Sequence, residues 1–449
     1  MERTKPQWKS QLSYIMAAGS AAVGLGNIWR FPYITGTNGG GTFVFFYLLC
    51  VIVLGIPLMM GEVLVGRYGR HNPAKSFAFA SKKPMRPLWY CAGALGILTG
   101  FLILSYYSVI SGWLLEYIYL AAAGHFEHIT EAQSRGYYQT LMQHPGLMFI
   151  FNFCVVIGMV IVVGAGVKKG LERAVVFIFP VFVMLLLLLL FYAGHTGQFS
   201  HALAYLFKPS LQHVSGKTVL VALGQAFFSL GIALGVVAMY GAYLPENISI
   251  TRTSVIICLL DTTIALCAGM IIFPIVFAQG ISPAAGAGLI FEALPLSFSH
   301  MPSGTFFATL FFVMLGFAAF TSCLGFLEAP VVWLKETLHI KKMHAAIICG
   351  VVILFLSTGT ILSFNIWAQE KWFGKNFFEA LDFVTSSILL PISGFLLALL
   401  VGWFMTKSLI AHELKFSSKT LKFRTWYWLI RILAPLAILF IFLRGLEII

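Results

Sequence analysis

The chain has 449 residues, of which 59% are hydrophobic and only 10% are charged, and its mean hydropathy is +0.90. This composition has too little polar surface for a soluble globular protein and indicates an integral membrane protein. The net charge of +13 belongs mostly to loops between apolar runs, so we expect no nucleic-acid partner. The seven cysteines lie in or beside apolar runs without a CxxC pair, so neither a disulfide framework nor a cysteine metal site follows.

Apolar runs long enough to cross about 30 Å of hydrocarbon, at roughly 20 residues each, recur along the whole chain. Eleven spans are predicted, at residues 12–35, 42–66, 87–122, 146–166, 171–193, 218–243, 254–278, 303–334, 344–364, 377–405 and 425–446. The first run carries Asn27 and Arg30 and lacks a small-residue cleavage site, so we expect a retained span and not a signal peptide. The sequence predicts an all-α integral membrane protein with one transporter-sized domain over residues 1–449, surrounded by the lipid bilayer.

The basic residues are concentrated on one side of these spans. The N-terminus and every second loop hold 21 of the 29 lysines and arginines. Because cytoplasmic loops carry an excess of Lys and Arg, we predict a cytoplasmic N-terminus and, with eleven spans, an external C-terminus in a prokaryotic plasma membrane.

Two spans are interrupted by glycines. The first break lies at Ala22-Val23-Gly24-Leu25-Gly26-Asn27, and the second lies in Phe227–Gly235, which contains Gly231 and Gly235. Lipid cannot satisfy free backbone groups, so such breaks are tolerated where they are buried in protein or bind something. The breaks fall in spans 1 and 6, the positions expected of an inverted repeat with its site at the midplane. We predict a first repeat over about 12–193, a second over about 218–405 and an extra helix over about 425–446; the alternative is that these glycines only permit close helix packing.

The fifth predicted span combines Gly170 with Pro180. A proline inside a helix removes one backbone hydrogen bond and loosens the preceding turn. This pattern predicts either a segment that unwinds near the cytoplasmic end or a static kink.

Several motifs carry a resemblance to a known family. They are SAAVGLGNIWRFPYITGTNGGGTFVFFY (20–47), GIPLMMGEVLVGRYG (55–69), the Tyr106-Tyr107 pair, GQAFFSLG (224–231), FAAFTS (317–322) and LDF (381–383). In order and over essentially the whole chain, they resemble the neurotransmitter:sodium symporter family, in particular its short, eleven-span prokaryotic amino-acid carriers.

The resemblance implies an amino-acid substrate. Monoamine carriers of this family have an Asp where this chain has Gly24. With glycine at this position, the N–H groups at the end of a half-helix are free to bind the carboxylate of an amino acid. The residues implied to bind substrate are Ala22, Gly24, Gly26, Ile103, Tyr107, Phe228, Ser229, Gly231, Leu234, Ser322 and Phe326. This pocket holds no charged side chain, and Gly231 replaces a serine of the bacterial leucine transporter, which favours a neutral and large apolar or aromatic substrate.

The resemblance also implies two sodium ions. The first would be held by Ala22, Asn27, Ser229 and Asp261 together with the substrate carboxylate. The second would be held by Ser20, Val23, Ala318, Thr321 and Ser322. Without the resemblance, Thr321 and Ser322 are more typical of hydroxyls that bond their own helix backbone. Animal members use a chloride near the first site, and Asp261 is expected to remove that need.

Gates and a scaffold residue complete the predicted site. Arg30 and Asp382 match the external ionic gate, while Trp8 and Glu336 match the inner gate, with Lys5 in place of the usual arginine. Glu62 is expected to accept hydrogen bonds from the unwound backbone of span 1, and Glu328 either lines the inner pathway or is a packed, hydrogen-bonded acid.

These expectations describe a sodium-coupled symporter for neutral hydrophobic or aromatic L-amino acids that works by alternating access. The alternatives are a sodium-independent exchanger of the same fold and a transport-inactive amino-acid sensor. An intramembrane enzyme is disfavoured because the spans contain no HExxH, GxSxG or Asp-Asp pair. The exact substrate, the ion stoichiometry and the oligomeric state do not follow from the sequence.

Overall fold

A computed structural model describes residues 7–195, 198–210, 212, 214–280, 288–446 and 448. Within these residues the regular structure is helical, apart from one bridge between Trp372 and Lys375. The all-α class predicted from the sequence is therefore confirmed. The seven cysteine thiols are free.

Thirteen helical elements build the membrane part. In chain order they are α1 (Gln11–Ala22), α2 (26–37), α3 (Gly41–Gly69), α4 (Lys83–Ala122), α5 (Pro145–Gly164), α6 (Val167–Gly194), α7 (Gly216–Ser229), α8 (Val236–Ala242), α9 (Ile250–Ala278), α10 (Gly304–Leu338), α11 (Lys342–Leu362), α12 (Phe377–Phe404) and α13 (Leu421–Gly445). Shorter helices connect them at Pro73–Ala80, Glu131–Gln143, Phe199–Phe207, Leu289–Ser299 and Lys407–Leu414.

Nine of these elements, taken from the described residues, are long and apolar enough to cross a membrane: α3, α4, α5, α6 and α9 to α13. The other two predicted spans correspond to the pairs α1/α2 and α7/α8. A helix of 12 residues such as α1 rises only about 18 Å, so neither half of a pair crosses the hydrocarbon core alone.

The interruptions lie where the glycine runs predict them. The chain leaves α1 at Ala22 and resumes in a π turn at Gly26–Arg30. Between α7 and α8, Gly231, Ala233 and Gly235 have φ angles of +61°, +66° and +77°. This left-handed backbone cannot continue a right-handed helix, so the two halves are separated by a buried segment whose backbone groups lie outside a helix.

The fifth predicted span begins a few residues earlier than expected. A π turn at Val167–Leu171 opens α6, and the helix continues through Pro180 to Ala193. Gly170 packs directly on the carbonyl of Val162, leaving no room for a Cβ. In this conformation the segment from Gly170 to Pro180 is helical.

The two broken segments lie at the centre of the bundle. Of the most apolar 18-residue stretch of α10, 67% is buried inside the protein, whereas only 33% of the most apolar 18-residue stretch of α6 is buried. Helix α10 therefore runs through the interior, where it packs along α4 and beside α1 and α8. Helix α3 packs closely on α8, since a Cβ on Gly241 would lie 2.8 Å from the carbonyl oxygen of Val63.

Candidate functional site

The first break exposes its backbone beside Tyr107. The N–H of Leu25 donates to the Tyr107 hydroxyl (3.0 Å), and the N–H of Gly24 donates to Asn27 Oδ1 (3.2 Å). A Cβ on Gly24 would lie 2.5 Å from the Tyr107 hydroxyl and 2.6 Å from Ser322 Oγ. Glycine is therefore required at this position, and the polar atoms of Tyr107 and Ser322 face it.

A buried carboxylate joins the two breaks. Asp261 is fully buried in α9. Its Oδ1 accepts from Asn27 Nδ2 (2.8 Å), and its Oδ2 accepts from Ser229 Oγ (3.1 Å). Among the described residues no Lys, Arg or His lies within ion-pair distance of Asp261. The first predicted ion site thus brings together a carboxylate, an amide and a hydroxyl; Ala22, the remaining predicted residue, is the last residue of α1.

A second cluster of oxygens joins α10 to the first break. Thr321 Oγ1 lies 3.1 Å from the carbonyl oxygen of Ser20, and Ser322 Oγ lies 3.2 Å from that of Val23. Both hydroxyls also lie 3.1 Å from the carbonyl oxygen of Ala318. The contacts within α10 are the ordinary back-bonding of Ser and Thr, but the contacts to Ser20 and Val23 cross about 300 positions of sequence. All five residues predicted for the second ion lie together.

The predicted side-chain pocket is assembled from α4, α10 and the second break. The rings of Tyr107 and Phe326 meet edge to face, with centroids 5.7 Å apart. Ile103 and Leu234 are buried, and a Cβ on Gly100, one turn before Ile103, would lie 2.7 Å from the carbonyl oxygen of Leu234. This close approach holds α4 against the second break, and Ile103, Leu234 and Phe326 make this part of the lining apolar.

Gly231 and Phe228 complete the predicted pocket: Gly231 lies beside open space, and Phe228 lies beside the first break. A Cβ on Gly231 would meet nothing within 4 Å, which leaves room at this side of the pocket. The ring of Phe228 lies 3.5 Å from the position of a Cβ on Gly26. The expected neighbours of the substrate are therefore drawn from both broken segments.

Glu62 bonds a different break from the one expected. Its Oε2 accepts from the N–H of Ala233 (2.6 Å), and its Oε1 accepts from the N–H of Ala238 (3.2 Å). The expectation that Glu62 bonds the backbone of span 1 is therefore wrong. The reason is the close packing of α3 on α8, which places the free N–H groups of the second break nearest to this carboxylate.

The sequence analysis assigned no role to Tyr47 and Gln225. The Tyr47 hydroxyl lies 3.2 Å from Ser229 Oγ, and Gln225 Nε2 donates to the carbonyl oxygen of Gly26 (2.9 Å). Gln225 Oε1 is buried and has no hydrogen-bond partner among the residues that the structure describes. Both residues lie inside the motifs quoted above. Their polar groups within largely apolar motifs could have indicated that they bond to other parts of the site.

The predicted external gate residues are not paired with each other. The guanidinium of Arg30 lies over the ring of Phe228, 4.1 Å from its centroid. Asp382 accepts from the Tyr106 hydroxyl (3.1 Å) and from Ser386 Oγ (3.0 Å). In the described chain Arg30 and Asp382 form no ion pair, and an outer cavity of about 260 Å³ borders Arg30, Phe228 and Ser386.

Trp8 anchors the N-terminal segment at the inner end. Its backbone N–H donates to the carbonyl oxygen of Tyr243 (3.1 Å), and its Nε1 donates to that of Tyr240 (3.0 Å). The indole is 2% exposed and meets the Tyr240 ring edge to face at 5.4 Å. Trp8 therefore ties the segment before α1 to the end of α8.

Glu336 binds residues that follow α3. It accepts from Asn72 Nδ2 (2.8 Å), and it lies 3.3 Å from His71 Nδ1 and 3.6 Å from Lys75 Nζ. The predicted partner Lys5 lies outside the described residues.

Glu328 is a packed and paired acid. Its carboxylate is fully buried, accepts from the Tyr243 hydroxyl (2.8 Å) and binds Lys342 Nζ at 2.7 Å. Tyr243 and Lys342 also line an inner cavity of about 770 Å³. Of the two roles considered for Glu328, the geometry favours the hydrogen-bonded acid, which borders the cavity through its partners.

Comparison with known proteins agrees with this arrangement. The model of the sodium:neurotransmitter symporter family matches residues 5–129 and 136–448. The chain belongs to the sodium:neurotransmitter symporter family. The resemblance drawn from the motifs is confirmed, and the protein is a multi-pass membrane transporter of a sodium-dependent family and not an enzyme.

Two relatives in this family are sodium-dependent transporters described as uncharacterized. YhdH of Bacillus subtilis is 35% identical over 447 residues, covering 99% of this chain and 98% of its own. A Haemophilus influenzae transporter is 31% identical over 453 residues, covering 99% of each. Among solved structures, that of MhsT in complex with L-phenylalanine is 36% identical, has a TM-score of 0.90 and covers 98% of this chain and 99% of that one.

Proposed function

We propose that this transporter is a sodium-coupled symporter that carries neutral hydrophobic or aromatic L-amino acids into the cell by alternating access. The observation that carries the proposal is Asp261, a fully buried carboxylate bonded by the neutral side chains of Asn27 and Ser229. A charge buried away from water without a counter-charge costs several kcal/mol. A sodium ion at the junction of the two breaks would supply that charge.

The oxygen cluster at Thr321 and Ser322 supports a second sodium ion. It combines hydroxyls with the carbonyl groups of Ser20, Val23 and Ala318, and unwound backbone carbonyls are typical sodium ligands in broken-helix transporters. Because no carboxylate is among these five residues, binding here would be weaker and more readily reversed than at Asp261. We therefore assign the protein two ions, with Ala22, Asn27, Ser229 and Asp261 at the first site.

The substrate is inferred from the groups around the breaks. The backbone of Gly24 and Gly26 lies at the N-terminal end of α2, where helix N–H groups favour a carboxylate, and the Tyr107 hydroxyl faces the same point. The side chain would lie among Ile103, Leu234 and Phe326, which offer no charge to an acidic or basic group. The L-phenylalanine bound to MhsT, at 36% identity, supports an apolar or aromatic amino acid.

The topology that fits this function has eleven spans. Nine are continuous, and the pairs α1/α2 and α7/α8 supply one span each, which gives two five-span repeats (about 12–193 and 218–405) and α13 as an additional helix. The excess of Lys and Arg in alternate loops assigns the N-terminus to the cytoplasm and the C-terminus to the outside.

Two gates would control access to the site. Arg30 and Asp382 would close the outer side by pairing, and Trp8 with Glu336, and with Lys5 from the N-terminal segment, would close the inner side. Glu62 acts as a scaffold for the second break.

Uptake by proteoliposomes tests the proposal against its two alternatives. We expect an inward sodium gradient to drive accumulation of L-phenylalanine above its external concentration, and collapse of the gradient to release it. A sodium-independent exchanger would show counterflow of L-phenylalanine in sodium-free buffer, and a sensor would bind it without uptake. Either of these results would contradict symport.

A further inference from the structure

Helices α12 and α13 meet at two π turns near the basic face of the protein. The turns are Leu400–Phe404 and Leu429–Leu433. The backbones approach closely, since a Cβ on Gly402 would lie 2.8 Å from the Cα of Arg431. Two side-chain donors fix the contact: the Tyr427 hydroxyl donates to the carbonyl oxygen of Gly402 (2.8 Å), and Trp403 Nε1 donates to that of Arg431 (2.9 Å). π turns of this kind frequently occur at functional sites.

The guanidinium of Arg431 lies between two aromatic rings. It is 4.1 Å from the ring centroid of Trp403 and 5.6 Å from that of Tyr427, and its Nη1 donates to the Tyr427 hydroxyl (3.2 Å). Within the described chain no Asp or Glu forms an ion pair with it. A guanidinium has five N–H donors, so most of its hydrogen-bonding capacity is unused. An arginine within a span is costly unless it has an anionic partner or reaches the interface.

A second cation extends this arrangement toward the membrane surface. Lys407 opens the short helix that follows α12, and its Nζ lies 5.0 Å from the ring centroid of Tyr427. Trp403 is 54% exposed on the outer surface of the bundle, where a membrane protein meets lipid. Trp and Tyr are enriched where the hydrocarbon meets the headgroups. Arg431, Tyr427 and Lys407 therefore form a row whose composition is typical of the interface, where lipid phosphates lie.

We propose that Trp403, Lys407, Tyr427 and Arg431 form a site for the phosphate group of an anionic glycerophospholipid of the cytoplasmic leaflet. Two cations beside the Tyr427 ring complement a negatively charged headgroup, and a guanidinium can bind two phosphate oxygens at once. The exposed face of Trp403 offers an apolar surface to the acyl chains, which a free phosphate ion would not use. The site lies between α12 and α13, away from both breaks, and is independent of the proposed substrate.

Native mass spectrometry of the detergent-purified full-length protein tests this site. Phosphatidylglycerol and phosphatidylcholine are added in parallel to the wild type, to Arg431→Gln and to Lys407→Gln. Arg424→Gln is the matched control, because Arg424 is an exposed cation on α13 outside the row. We expect the wild type and Arg424→Gln to retain phosphatidylglycerol in preference to phosphatidylcholine, and each of the other variants to bind phosphatidylglycerol about fivefold more weakly.

Thermal unfolding supplies a second readout and separates the lipid from a free anion. We expect phosphatidylglycerol to raise the unfolding midpoint of the wild type and inorganic phosphate to leave it unchanged. Because Lys407 contacts neither π turn through a hydrogen bond, Lys407→Gln tests the site even where Arg431→Gln lowers the stability of the fold. Equal phosphatidylglycerol binding by Lys407→Gln and Arg424→Gln, or equal protection by inorganic phosphate and phosphatidylglycerol, would overturn the proposal.

Discussion

Ala233 has the backbone conformation that glycine adopts most readily. Its φ of +66° costs a residue with a Cβ roughly 1–2 kcal/mol. We predict that Ala233→Gly stabilises the protein by about 1 kcal/mol, since the gain from relieved strain exceeds the entropy that glycine adds to the unfolded chain. The midpoint of thermal unfolding in detergent measures this effect.

Ala238 provides the control for this substitution. It lies in α8 with helical neighbours and also donates its N–H to Glu62, and glycine within a helix costs about 1 kcal/mol. Ala238→Gly should therefore lower the midpoint. If both variants lowered it equally, the strain at Ala233 would not be a net cost.

Gly231 combines a positive φ with open space beside the pocket. Gly231→Ser should lower the stability of the fold by roughly 1–2 kcal/mol through backbone strain. It should also weaken binding of large side chains more than that of alanine, because a hydrophobic pocket discriminates by about 1–3 kcal/mol per methylene gained or lost. Competition assays with alanine, leucine, phenylalanine and tryptophan give the ratio of affinities for wild type and variant. An unchanged ratio would leave Gly231 with a backbone role only, and a wild-type preference for alanine would contradict the large pocket.

At the level of helices, Glu62 links α3 to the second break. Its two carboxylate oxygens each accept an N–H bond in a buried place. Glu62→Gln replaces one acceptor with an NH₂ group, which leaves a buried N–H without a partner and costs about 1–3 kcal/mol. We predict a lower midpoint of thermal unfolding for Glu62→Gln.

Glu246→Gln is the matched surface change. Glu246 is 81% exposed and pairs with Arg70, and exposed ion pairs contribute little, with a median of about 0–1 kcal/mol. Its midpoint should stay close to that of the wild type. Equal destabilisation by the two substitutions would show that Glu62 does not hold the break.

The sequence predicts features that depend on neighbouring residues better than features that depend on contacts between distant segments. The breaks at Gly24 and Gly231 were predicted from local sequence, because closely spaced glycines inside an apolar span favour an interruption that protein can bury. The partner of Glu62 could not be derived in this way, since it depends on which side of α3 faces α8. The approach of Gly241 to Val63, which sets that orientation, is a contact between distant segments.

The candidate ion sites also contain both residues that the sequence identified and residues that it did not. The family resemblance predicted Thr321 and Ser322 for one ion and Asp261 for the other, and the structure places oxygen atoms of other predicted residues beside each of them. Tyr47 and Gln225 were not assigned, because a hydroxyl or amide inside an apolar motif does not reveal which group it will meet. The contact of Tyr47 with Ser229 depends on α3 and α7 lying side by side, and the bond of Gln225 to Gly26 depends on α7 lying beside α2.

For the whole molecule, we propose that Asp261, which is fully buried and accepts a hydrogen bond from Asn27, supplies a negative charge at the junction of the two breaks. Coulomb attraction between a carboxylate and a cation is much stronger in a low-dielectric interior than in water, so a chloride is not needed for charge balance. We predict equal rates of sodium-driven uptake in chloride and in gluconate. A several-fold loss in gluconate would contradict this role of Asp261.

The coupling of substrate to sodium at the two breaks is tested by equilibrium binding of radiolabelled L-phenylalanine to the purified protein over a sodium titration, with potassium as the balancing cation. We predict saturable binding that requires sodium in the wild type, and a loss of affinity of about tenfold or more in Asp261→Ala, because a bond to a charged group is worth about 1.5–3 kcal/mol. Binding of L-phenylalanine that is equally tight in potassium and in sodium, or that is unchanged in Asp261→Ala, would contradict the account.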